Sequence, residues 1–429
     1  MTALRIGVCG NGTVGGGTIE MLQSRAALLE ARAGCPVVLT RVGARRDRDD
    51  CPVRDVPVER DLLAVARADD VDVVVECIGG TTLARELAEL ALNNGKAVVT
   101  ANKALIAEHG NELLALAEAK GVSLLFEAAV AGGIPILKAL RDGMAGNRVS
   151  GVSGIINGTG NFILTEMESG KRAFDDVLAQ AQELGYAEAD PSFDIDGIDA
   201  AHKLTILASM AFAMPLDFAS VHCEGIGTVT PEDIQFAGEL GYRIKHLGIA
   251  RSSEQGVELR VHPTLLPNDA LLANVDGVLN AVRLEGDCAG PTVYSGAGAG
   301  RLPTASAVVA DIIDIARAGG NVVSSLGVPV ASLEPVTSLA MSEVRCPWYL
   351  RLKAQDKPGV MSRLASCLGA EGISIEALIQ KPPVGNDETV SVVVLTNAAR
   401  EGDLRRAMAA IGSMDEVSDA PHGIRVDSP

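Results

Sequence analysis

Residues 4–15 read LRIGVCGNGTVG, an apolar segment that runs directly into the glycine pattern GxGxxG. Within a strand–loop–helix unit, Gly10 allows a tight turn, Gly12 lets the backbone approach a pyrophosphate, and Gly15 lets the helix pack close to the strand. The free N–H groups at the start of the helix would then receive the diphosphate. The alternative is an incidental glycine-rich turn. Because a strand precedes the pattern and a helical pattern comes after it, we predict a dinucleotide-binding loop.

Strand and helix patterns alternate from this loop to about residue 126. Nearly continuous apolar runs are typical of strands that are covered on both faces, as in a parallel sheet. Alternation of this kind predicts a doubly wound α/β fold, so we assign residues 1–130 to a Rossmann-like domain. A predicted helix at 304–318 would complete it. The predicted strands are Leu4–Cys9, Val37–Val42, Val71–Ile78, Ala97–Thr100 and Val122–Phe126, and the predicted helices are Thr13–Ala33, Thr82–Asn94 and Ala104–Ala119.

The remainder of the chain predicts two further units. Residues 131–303 combine glycine-rich loops with the predicted elements of an α+β domain. A stretch rich in Gly, Ser and Pro comes next, and we take 319–345 as a linker. Residues 346–429 have a βαββα order with a last strand near Gly423–Val426, which describes a ferredoxin-like module. The central predictions are strands Val149–Ile156, Ile244–Ala250 and Val257–His262 and helix Asp196–Ala213. Those of the last unit are strands Tyr349–Ala354, Ile373–Gln380 and Thr389–Thr396, helices Gly359–Glu371 and Glu401–Ile411, and a turn at Pro382–Glu388.

Composition excludes several classes of partner. The chain has 37 Lys and Arg against 55 Asp and Glu, a net charge of −18. A surface this acidic repels nucleic acid and anionic membranes, so we expect neither as a partner. The most apolar stretch, 204–216, is too short to cross a bilayer. The chain begins on a strand, from which we expect no signal peptide, and its eight cysteines lack CxxC or zinc spacing. We therefore expect a cytoplasmic protein.

The end of the second predicted strand bears on the choice of dinucleotide. An NAD site usually places Asp or Glu there for the ribose hydroxyl, but this chain has Arg45 and Arg46. Arginines suit a 2′-phosphate, so we expect NADP, with NAD as the alternative. The competing interpretation is that both arginines are solvated loop charges beside Asp47 and Asp49.

Charged residues in two places predict the chemistry. Lys103 comes after strand Ala97–Thr100, at the sheet edge where ligands bind in open α/β folds. Asp199 and Lys203 share a helix face, and the helix is apolar from Leu204 through Ala213 apart from Thr205 and Ser209. The simpler interpretations are a surface lysine and an exposed salt bridge. Carboxylates suit an α-ammonium group, and a lysine with a lowered pKa suits the proton of an alcohol. Further carboxylates precede the helix, namely Glu188, Asp190, Asp194 and Asp196.

These residues together resemble the homoserine dehydrogenase family with a C-terminal ACT domain, over essentially the whole chain. The motifs that carry the resemblance are Gly10–Gly15, Val99–Lys103, Asn157–Thr159, Gly185–Pro191, Asp194–Lys203, Gly298–Gly300 and Pro303–Ser306. One departure is Asn11, where the family usually has a hydrophobic residue. The resemblance implies that the central unit is a catalytic and dimerisation domain. It also implies NAD(P)-dependent interconversion of L-homoserine and L-aspartate 4-semialdehyde in threonine, methionine and isoleucine biosynthesis.

The resemblance also implies roles for particular residues. Lys203 and Lys103 would transfer the proton, with Asp199 holding the reacting hydroxyl or orienting Lys203. The substrate would be bound by Glu188, Asp194, Gly185, Asn157 and Lys203. The cofactor residues would be Gly10, Gly12, Thr13, Val14, Gly15, Arg45, Lys103 and Gly300. A structural monovalent cation, usually sodium, would be bound by Glu127, Val130, Gly132 and Ile134, mostly through backbone carbonyls.

The ACT module and the catalytic function each have alternatives. Asp356 and Gly359 lie in what resembles the ACT strand-to-helix turn, whose amides could receive an amino-acid carboxylate. That implies feedback control by L-threonine; the alternative is a module that only helps assembly into a homodimer or homotetramer. One rival function is aspartate-semialdehyde dehydrogenase, which needs a cysteine nucleophile with an activating histidine. Only Cys223, which is next to His222, is a candidate for that role. The other is a dinucleotide-sensing regulator without catalysis, which the lysines and carboxylates argue against.

Overall fold

The N-terminal region of the computed structural model is a six-stranded parallel sheet. The model describes residues 2–51, 53–381 and 389–427, so the predicted turn at Pro382–Glu388 lies outside the described residues. The strands are β1 (Leu4–Cys9), β2 (Val37–Gly43), β3 (Val58–Glu59), β4 (Val73–Glu76), β5 (Ala97–Thr100) and β6 (Leu124–Leu125). The helices are α1 (Thr13–Ser24), α2 (Ala26–Ala33), α3 (Leu62–Arg67), α4 (Thr82–Asn93), α5 (Lys103–Lys120) and the short α6 (Ile136–Lys138).

The order of these strands confirms the doubly wound prediction. It runs β3-β2-β1-β4-β5-β6 with every pair parallel. The order reverses between β1 and β4, so the crevice outside their carboxyl ends is where a ligand binds in this fold. β4 is fully buried along its length, as its apolar run predicts. The loops at the carboxyl ends of β1, β4 and β5 therefore meet at one edge.

One predicted helix is wrong in its extent. The helix expected over Thr13–Ala33 is broken at Arg25, whose backbone (φ −120°, ψ 24°) is not helical. The Ser24 hydroxyl donates to the Glu20 carbonyl, a local contact that competes with regular helix geometry. The helix expected at 304–318 begins earlier, at Arg301, and it packs against α1.

The central region contains a mainly antiparallel sheet with helices. Its strands are β7 (Val149–Ile155), β8 (His222–Cys223), β9 (Tyr242–Ser253), β10 (Gly256–Pro267), β11 (Leu279–Gly286) and β12 (Gly290–Ala297). Its helices are α7 (Gly158–Gly170), α8 (Phe174–Glu183), α9 (Ser192–Ile195), α10 (Ile198–Phe212), α11 (Pro231–Glu239) and α12 (Arg301–Ala318). Helices α7 and α8 and the β11–β12 hairpin have no counterpart among the predicted elements. Strand β12, GPTVYSGA, offers only a weak strand signal because two glycines and a proline interrupt its apolar residues.

The C-terminal region continues the same sheet. The central strands run in the order β12-β11-β7-β9-β10. The sheet continues from β10 through β18 (His422–Val426), which is parallel to it, and then through β14 (Trp348–Gln355), β16 (Thr389–Thr396) and β15 (Ile375–Gln380). The βαββαβ order predicted for the tail is present, but its sheet is hydrogen-bonded to the central one. The strands are β13 (Arg345–Cys346), β14 (Trp348–Gln355), β15 (Ile375–Gln380), β16 (Thr389–Thr396), β17 (Ala399–Arg400) and β18 (His422–Val426), and the helices are α13 (Val360–Ala370) and α14 (Glu401–Gly412).

Residues 319–345, taken from sequence as a linker, lie along both of the preceding regions. The Val323 amide donates to the Ser123 hydroxyl at 2.8 Å, at the N-terminal sheet. The Glu334 amide donates to the Ala213 carbonyl at 3.1 Å, at the end of α10. The segment is therefore tied to both regions by hydrogen bonds. Among the helices of the described chain, none has the length and apolar character needed to cross a membrane.

Candidate active site

The glycine loop after β1 has the geometry that a pyrophosphate requires. Gly10 adopts φ +101°, and a Cβ there would lie 2.4 Å from the Cys77 carbonyl oxygen. A Cβ on Gly15 would lie 1.9 Å from the Gly10 oxygen, so the helix can approach the strand only with glycine there. No atom lies within 4 Å of the Cβ position of Gly12. Because α1 begins directly at Thr13, the amides of its first turn face this open space.

Two arginines border the cleft beside this loop. The cleft has a volume of about 260 Å³ and is lined by Gly10, Gly12, Arg45 and Arg46 among others. Both arginines are exposed, and neither forms an ion pair with another described residue. Asp47, whose charge would oppose a phosphate, is held by Arg60 at 2.8 Å. The cleft therefore offers unpaired positive charge where the ribose of a dinucleotide would lie.

A second cleft joins the glycine loop to the central region. It has a volume of about 430 Å³, and its walls include Val14 and Gly79 on one side and Lys103 and Phe193 on the other. Lys103 is the first residue of α5, at the carboxyl end of β5, as its sequence position predicts. This cleft shares Cys77 and Gly79 with the cleft beside the glycine loop, so the two are adjacent.

Asp199 bridges two lysines, of which Lys103 lines this cleft. Its side chain accepts from Lys203 Nζ at 2.7 Å and pairs with Lys103 Nζ at 2.9 Å. Lys203 also donates to the Ile156 carbonyl at 2.7 Å, so two of its three protons are engaged. Asp199 is only 3% exposed. The structure thus brings together the three residues predicted to be catalytic.

Burial and charge set the protonation of this cluster. Burial opposes the charged form of Asp199, but the two lysine charges outweigh it and hold the pKa of that carboxyl well below its usual range. Burial lowers the pKa of Lys203, and the nearby charge of Lys103 lowers it further, against the opposing charge of Asp199. Lys203 therefore loses its proton more readily than an ordinary surface lysine does.

Asn157 connects this cluster to a further carboxylate. Its side-chain oxygen accepts from the Gly160 amide at 2.7 Å and so caps α7. Its Nδ2 donates at 2.8 Å both to Asp194 and to Asp199. Burial raises the pKa of Asp194. Asn157 and Asp194, both predicted to bind substrate, are thus placed beside the lysines.

Two predicted substrate residues lie outside this network. Gly185 ends the turn after α8 with φ +73°, and Glu188 is exposed. The Glu188 side chain forms no ion pair or hydrogen bond within the described residues. The Thr159 hydroxyl donates to the Tyr186 carbonyl at 2.7 Å, which holds this turn against the start of α7. Within the part of the chain that the structure describes, Glu188 is therefore held only through its backbone carbonyl, which accepts from Gln182 Nε2 at 3.0 Å.

Several residues of the site were missed from sequence. Phe193 lies in the cleft with its ring centroid 5.4 Å from Lys103 Nζ. Its ring also lies 5.6 Å from that of His202, which stacks on Phe218. Glu76, at the end of β4, accepts from the Ile78 amide at 2.7 Å and from the Thr100 hydroxyl at 2.5 Å, and so ties together two loops of the cleft. A carboxylate that ends a fully apolar strand was the signal for Glu76, and the position next to Asp194 was the signal for Phe193.

The predicted cation loop is built mainly from backbone. The Glu127 carboxylate accepts from the amides of Leu137 at 3.0 Å and Lys138 at 2.9 Å, and burial raises its pKa to about 7. Gly132 adopts φ +52°, which turns the loop sharply. The carbonyls of Val130 and Gly132 accept no hydrogen bond from a described residue, whereas that of Ile134 accepts from the Ile136 amide. Over the described ranges, no cluster of three or more His, Cys, Asp or Glu could hold a metal ion.

The remaining predicted residues lie at two helix starts. Gly300 adopts φ +130° and immediately precedes α12. Gly359 adopts φ +91° and immediately precedes α13, and Asp356 nearby accepts from Gln380 Nε2 at 3.0 Å. Both glycines thus occupy conformations that other residues rarely adopt.

Comparison with known proteins covers the whole chain. The family models that match are the homoserine dehydrogenase NAD-binding domain over 10–127, homoserine dehydrogenase over 135–313, and the ACT domain over 348–413. A homoserine dehydrogenase of Pseudomonas aeruginosa is 50% identical, with 100% of this chain and 99% of that protein covered. The crystal structure of a homoserine dehydrogenase from Thiobacillus denitrificans is 48% identical with a TM-score of 0.95, covering 100% and 99%. A hyperthermophilic archaeal homoserine dehydrogenase in complex with NADPH is 26% identical with a TM-score of 0.62, covering 73% and 98%.

Proposed function

The chain belongs to the homoserine dehydrogenase family, and from that premise we propose how its lysine–carboxylate cluster interconverts L-homoserine and L-aspartate 4-semialdehyde. The protein is an NAD(P)-dependent oxidoreductase of amino-acid biosynthesis that acts on a CH–OH group. The observation that carries the proposed mechanism is the buried Asp199 carboxylate, which holds Lys203 at 2.7 Å and Lys103 at 2.9 Å.

The two lysines have different roles in the transfer of the hydroxyl proton. A dinucleotide, when bound, supplies the hydride acceptor for the alcohol carbon. Lys203 is positioned as the base because its pKa is lowered and Asp199 and the Ile156 carbonyl leave one Nζ position free. Lys103 faces the cleft and places a second positive charge beside the alcohol oxygen. That charge lowers the pKa of Lys203, and it stabilises an oxygen that becomes more negative as the proton leaves.

The carboxylates on the other side of Asn157 suit the amino group of the substrate. Asp194 is half-buried, and Asn157 Nδ2 holds one of its oxygens at 2.8 Å, so its carboxylate is in place to receive an ammonium group. We assign Glu188 and Gly185 to the rim of the same subsite, because their turn is held against α7 by Thr159. An amino acid bound in this way would direct its hydroxyl toward the lysines.

The rival functions lose support from the structure. An aspartate-semialdehyde dehydrogenase needs a reactive thiolate, but burial raises the pKa of Cys223 to about 11, and its thiol donates to the Gly197 carbonyl. A regulator without catalysis has no use for two lysines around a buried carboxylate. Steady-state oxidation of L-homoserine with NADP and with NAD tests the function. Turnover that depends on homoserine is expected, and dinucleotide binding without turnover would favour the regulator.

NADP is proposed as the preferred cofactor because Arg45 and Arg46 are unpaired at the cleft beside the ribose position. We expect Arg45→Ala to raise the KM for NADP about 10-fold and to change the KM for NAD less than about 2-fold, since only NADP carries a 2′-phosphate for Arg45 to bind. The control is Arg48→Ala, whose guanidinium is already paired with Asp50 at 2.9 Å. An equal loss for both dinucleotides would contradict the assignment of Arg45 to the 2′-phosphate.

A sodium ion is proposed at the loop of Glu127, Val130, Gly132 and Ile134. The free carbonyls of Val130 and Gly132 fit a hard cation, which prefers oxygen ligands. The Glu127 carboxylate is used by two amides, so we assign it to the support of the loop and to the local negative charge. The steady-state assay repeated in sodium-free buffer, with each monovalent cation added back, distinguishes an ion requirement from none.

The ACT region implies a small-molecule effector, and we propose that the effector is L-threonine. Truncation near Pro335 is a poor test, because it would remove β18 from between β10 and β14. We expect Gly359→Ala in the full chain to raise the threonine concentration for half-inhibition at least about 10-fold, since φ +91° strains any side chain there. The control is Gly372→Ala, with φ +72° and open space at the other end of α13. Equal effects of both changes would place the effector elsewhere.

A homodimer or homotetramer and a cytoplasmic location stay predictions. Size-exclusion chromatography with light scattering measures the first and cell fractionation the second.

A further inference from the structure

The side chain of Asn280 is a buried amide without a partner. Asn280 lies on β11 and is 1% exposed. Neither its Nδ2 nor its Oδ1 has a hydrogen-bond partner among the described residues. Buried amides in folded proteins are nearly always hydrogen-bonded, because losing water without gaining a partner costs free energy. This amide therefore lacks an interaction that the working enzyme is expected to provide.

Asn280 lies between the two glycine loops that the sequence assigned to the site. A Cβ on Gly298 would lie 2.1 Å from Asn280 Cγ, and a Cβ on Gly158 would lie 3.6 Å from its Oδ1. Gly158 is the neighbour of Asn157, the residue that binds Asp194 and Asp199. Gly298 begins the loop 298–300 that leads into α12. The amide is thus in contact with the loop 298–300 but is not hydrogen-bonded to it.

The loop 298–300 is joined to the dinucleotide helix through Arg301, the first residue of α12. The Arg301 carbonyl oxygen would lie only 2.5 Å from a Cβ on Gly17 of α1, so the two helices touch at this point. The Arg301 guanidinium also pairs with Glu20 of α1 at 3.1 Å. The position of the loop 298–300 is therefore coupled to that of α1, the helix whose first amides would bind the pyrophosphate.

A second buried asparagine, Asn161, differs from Asn280 in its Nδ2, which is hydrogen-bonded, while its Oδ1 also has no partner among the described residues. Asn161, on α7, donates from Nδ2 to the carbonyls of Val275, Gly277 and Leu279 at 2.9–3.2 Å. These three hydrogen bonds hold the 275–279 segment against α7. Asn280 makes no such contacts within the described ranges, although it lies against both glycine loops.

We propose that Asn280 is a positioning residue that fixes the loop 298–300 when the dinucleotide binds. Its Nδ2 would donate to a backbone carbonyl of that loop and its Oδ1 would accept from a backbone amide. The loop backbone can supply both because no side chain separates it from Asn280. This inference rests on the proposed function, since it requires a dinucleotide beside Gly300. Asn280 acts through the loop and does not take part in proton transfer.

The test compares Asn280→Ala and the isosteric Asn280→Asp with Asn161→Ala in the full chain. NADPH affinity is measured by fluorescence titration, the KM values for NADP and homoserine by steady-state kinetics, and Tm by thermal unfolding. We expect both Asn280 variants to weaken NADPH binding and raise the KM for NADP about 10-fold, with the KM for homoserine changed less than about 2-fold. Asn161→Ala should lower Tm and leave the ratio of the two KM values unchanged.

Three results would overturn the proposal. A loss of Tm in the Asn280 variants with an unchanged ratio of KM values would make Asn280 structural, like Asn161. A change confined to the KM for homoserine would assign it to the Gly158 side. An unmodified chain that binds NADPH but does not oxidise homoserine would refute the proposed function alone, whereas one that binds no NADPH would refute both.

Discussion

Replacing Lys203 with alanine is expected to lower kcat for homoserine oxidation by about 10³-fold, within the range observed for the loss of a general base. Lys203 is 9% exposed and donates to Asp199 and to the Ile156 carbonyl. Because the position is buried, a base from the solvent cannot take its place. The glycine loop lies in another part of the site, so NADPH binding should change less than about 2-fold. Steady-state kinetics measure kcat, and fluorescence titration measures NADPH binding.

The control for this change is Lys245→Ala. Lys245 is also a buried lysine, 1% exposed, that pairs with Asp276 at 2.9 Å and donates to the Val275 carbonyl at 2.8 Å. Removing it leaves a similar gap away from the cleft. Asp276 would keep its pair with Arg243 at 2.8 Å, as Asp199 would keep Lys103 in Lys203→Ala. We expect a lower Tm and nearly normal kcat. Near-normal turnover in Lys203→Ala, or an equal loss in Lys245→Ala, would refute the assignment of Lys203 as the base.

Replacing Gly12 with valine is expected to weaken dinucleotide binding about 100-fold, or about 2.8 kcal/mol, without a loss of stability. The backbone of Gly12 is extended (φ −72°), which valine adopts readily, and no atom lies within 4 Å of the added Cβ. The new side chain would fill the space that the pyrophosphate needs to reach the amides of α1. Titration with NADPH measures the affinity, and thermal unfolding measures the stability.

Two other glycines give this prediction its controls. Gly146→Val adds a side chain at another open, exposed position and should change neither affinity nor Tm. Gly15→Val should lower Tm as well as affinity, because its Cβ would lie 1.9 Å from the Gly10 oxygen. If Gly12→Val bound NADPH normally, the open space at Gly12, before the first turn of α1, would not be the pyrophosphate site.

Local patterns predicted most of the N-terminal sheet. A parallel sheet buries both faces of its strands, so each strand has a nearly continuous apolar run in the sequence, as the fully buried β4 does. The glycine spacing at Gly10–Gly15 likewise encodes a local backbone shape. The break at Arg25 was not predicted because no glycine or proline marks it, and β12 was not predicted because its glycines and proline obscure the alternation of a strand.

The sequence by itself determined the doubly wound fold, the dinucleotide loop and the helix face shared by Asp199 and Lys203. These features depend on residues a few positions apart, whose relative placement the backbone geometry of a strand or helix fixes. Only the tertiary structure decided that Lys103 meets Asp199, that Asn280 lies between Gly158 and Gly298, and that the ACT strands extend the central sheet. Those contacts join segments far apart in the chain, and packing of whole elements sets them, because no local pattern records which distant surface an element will cover.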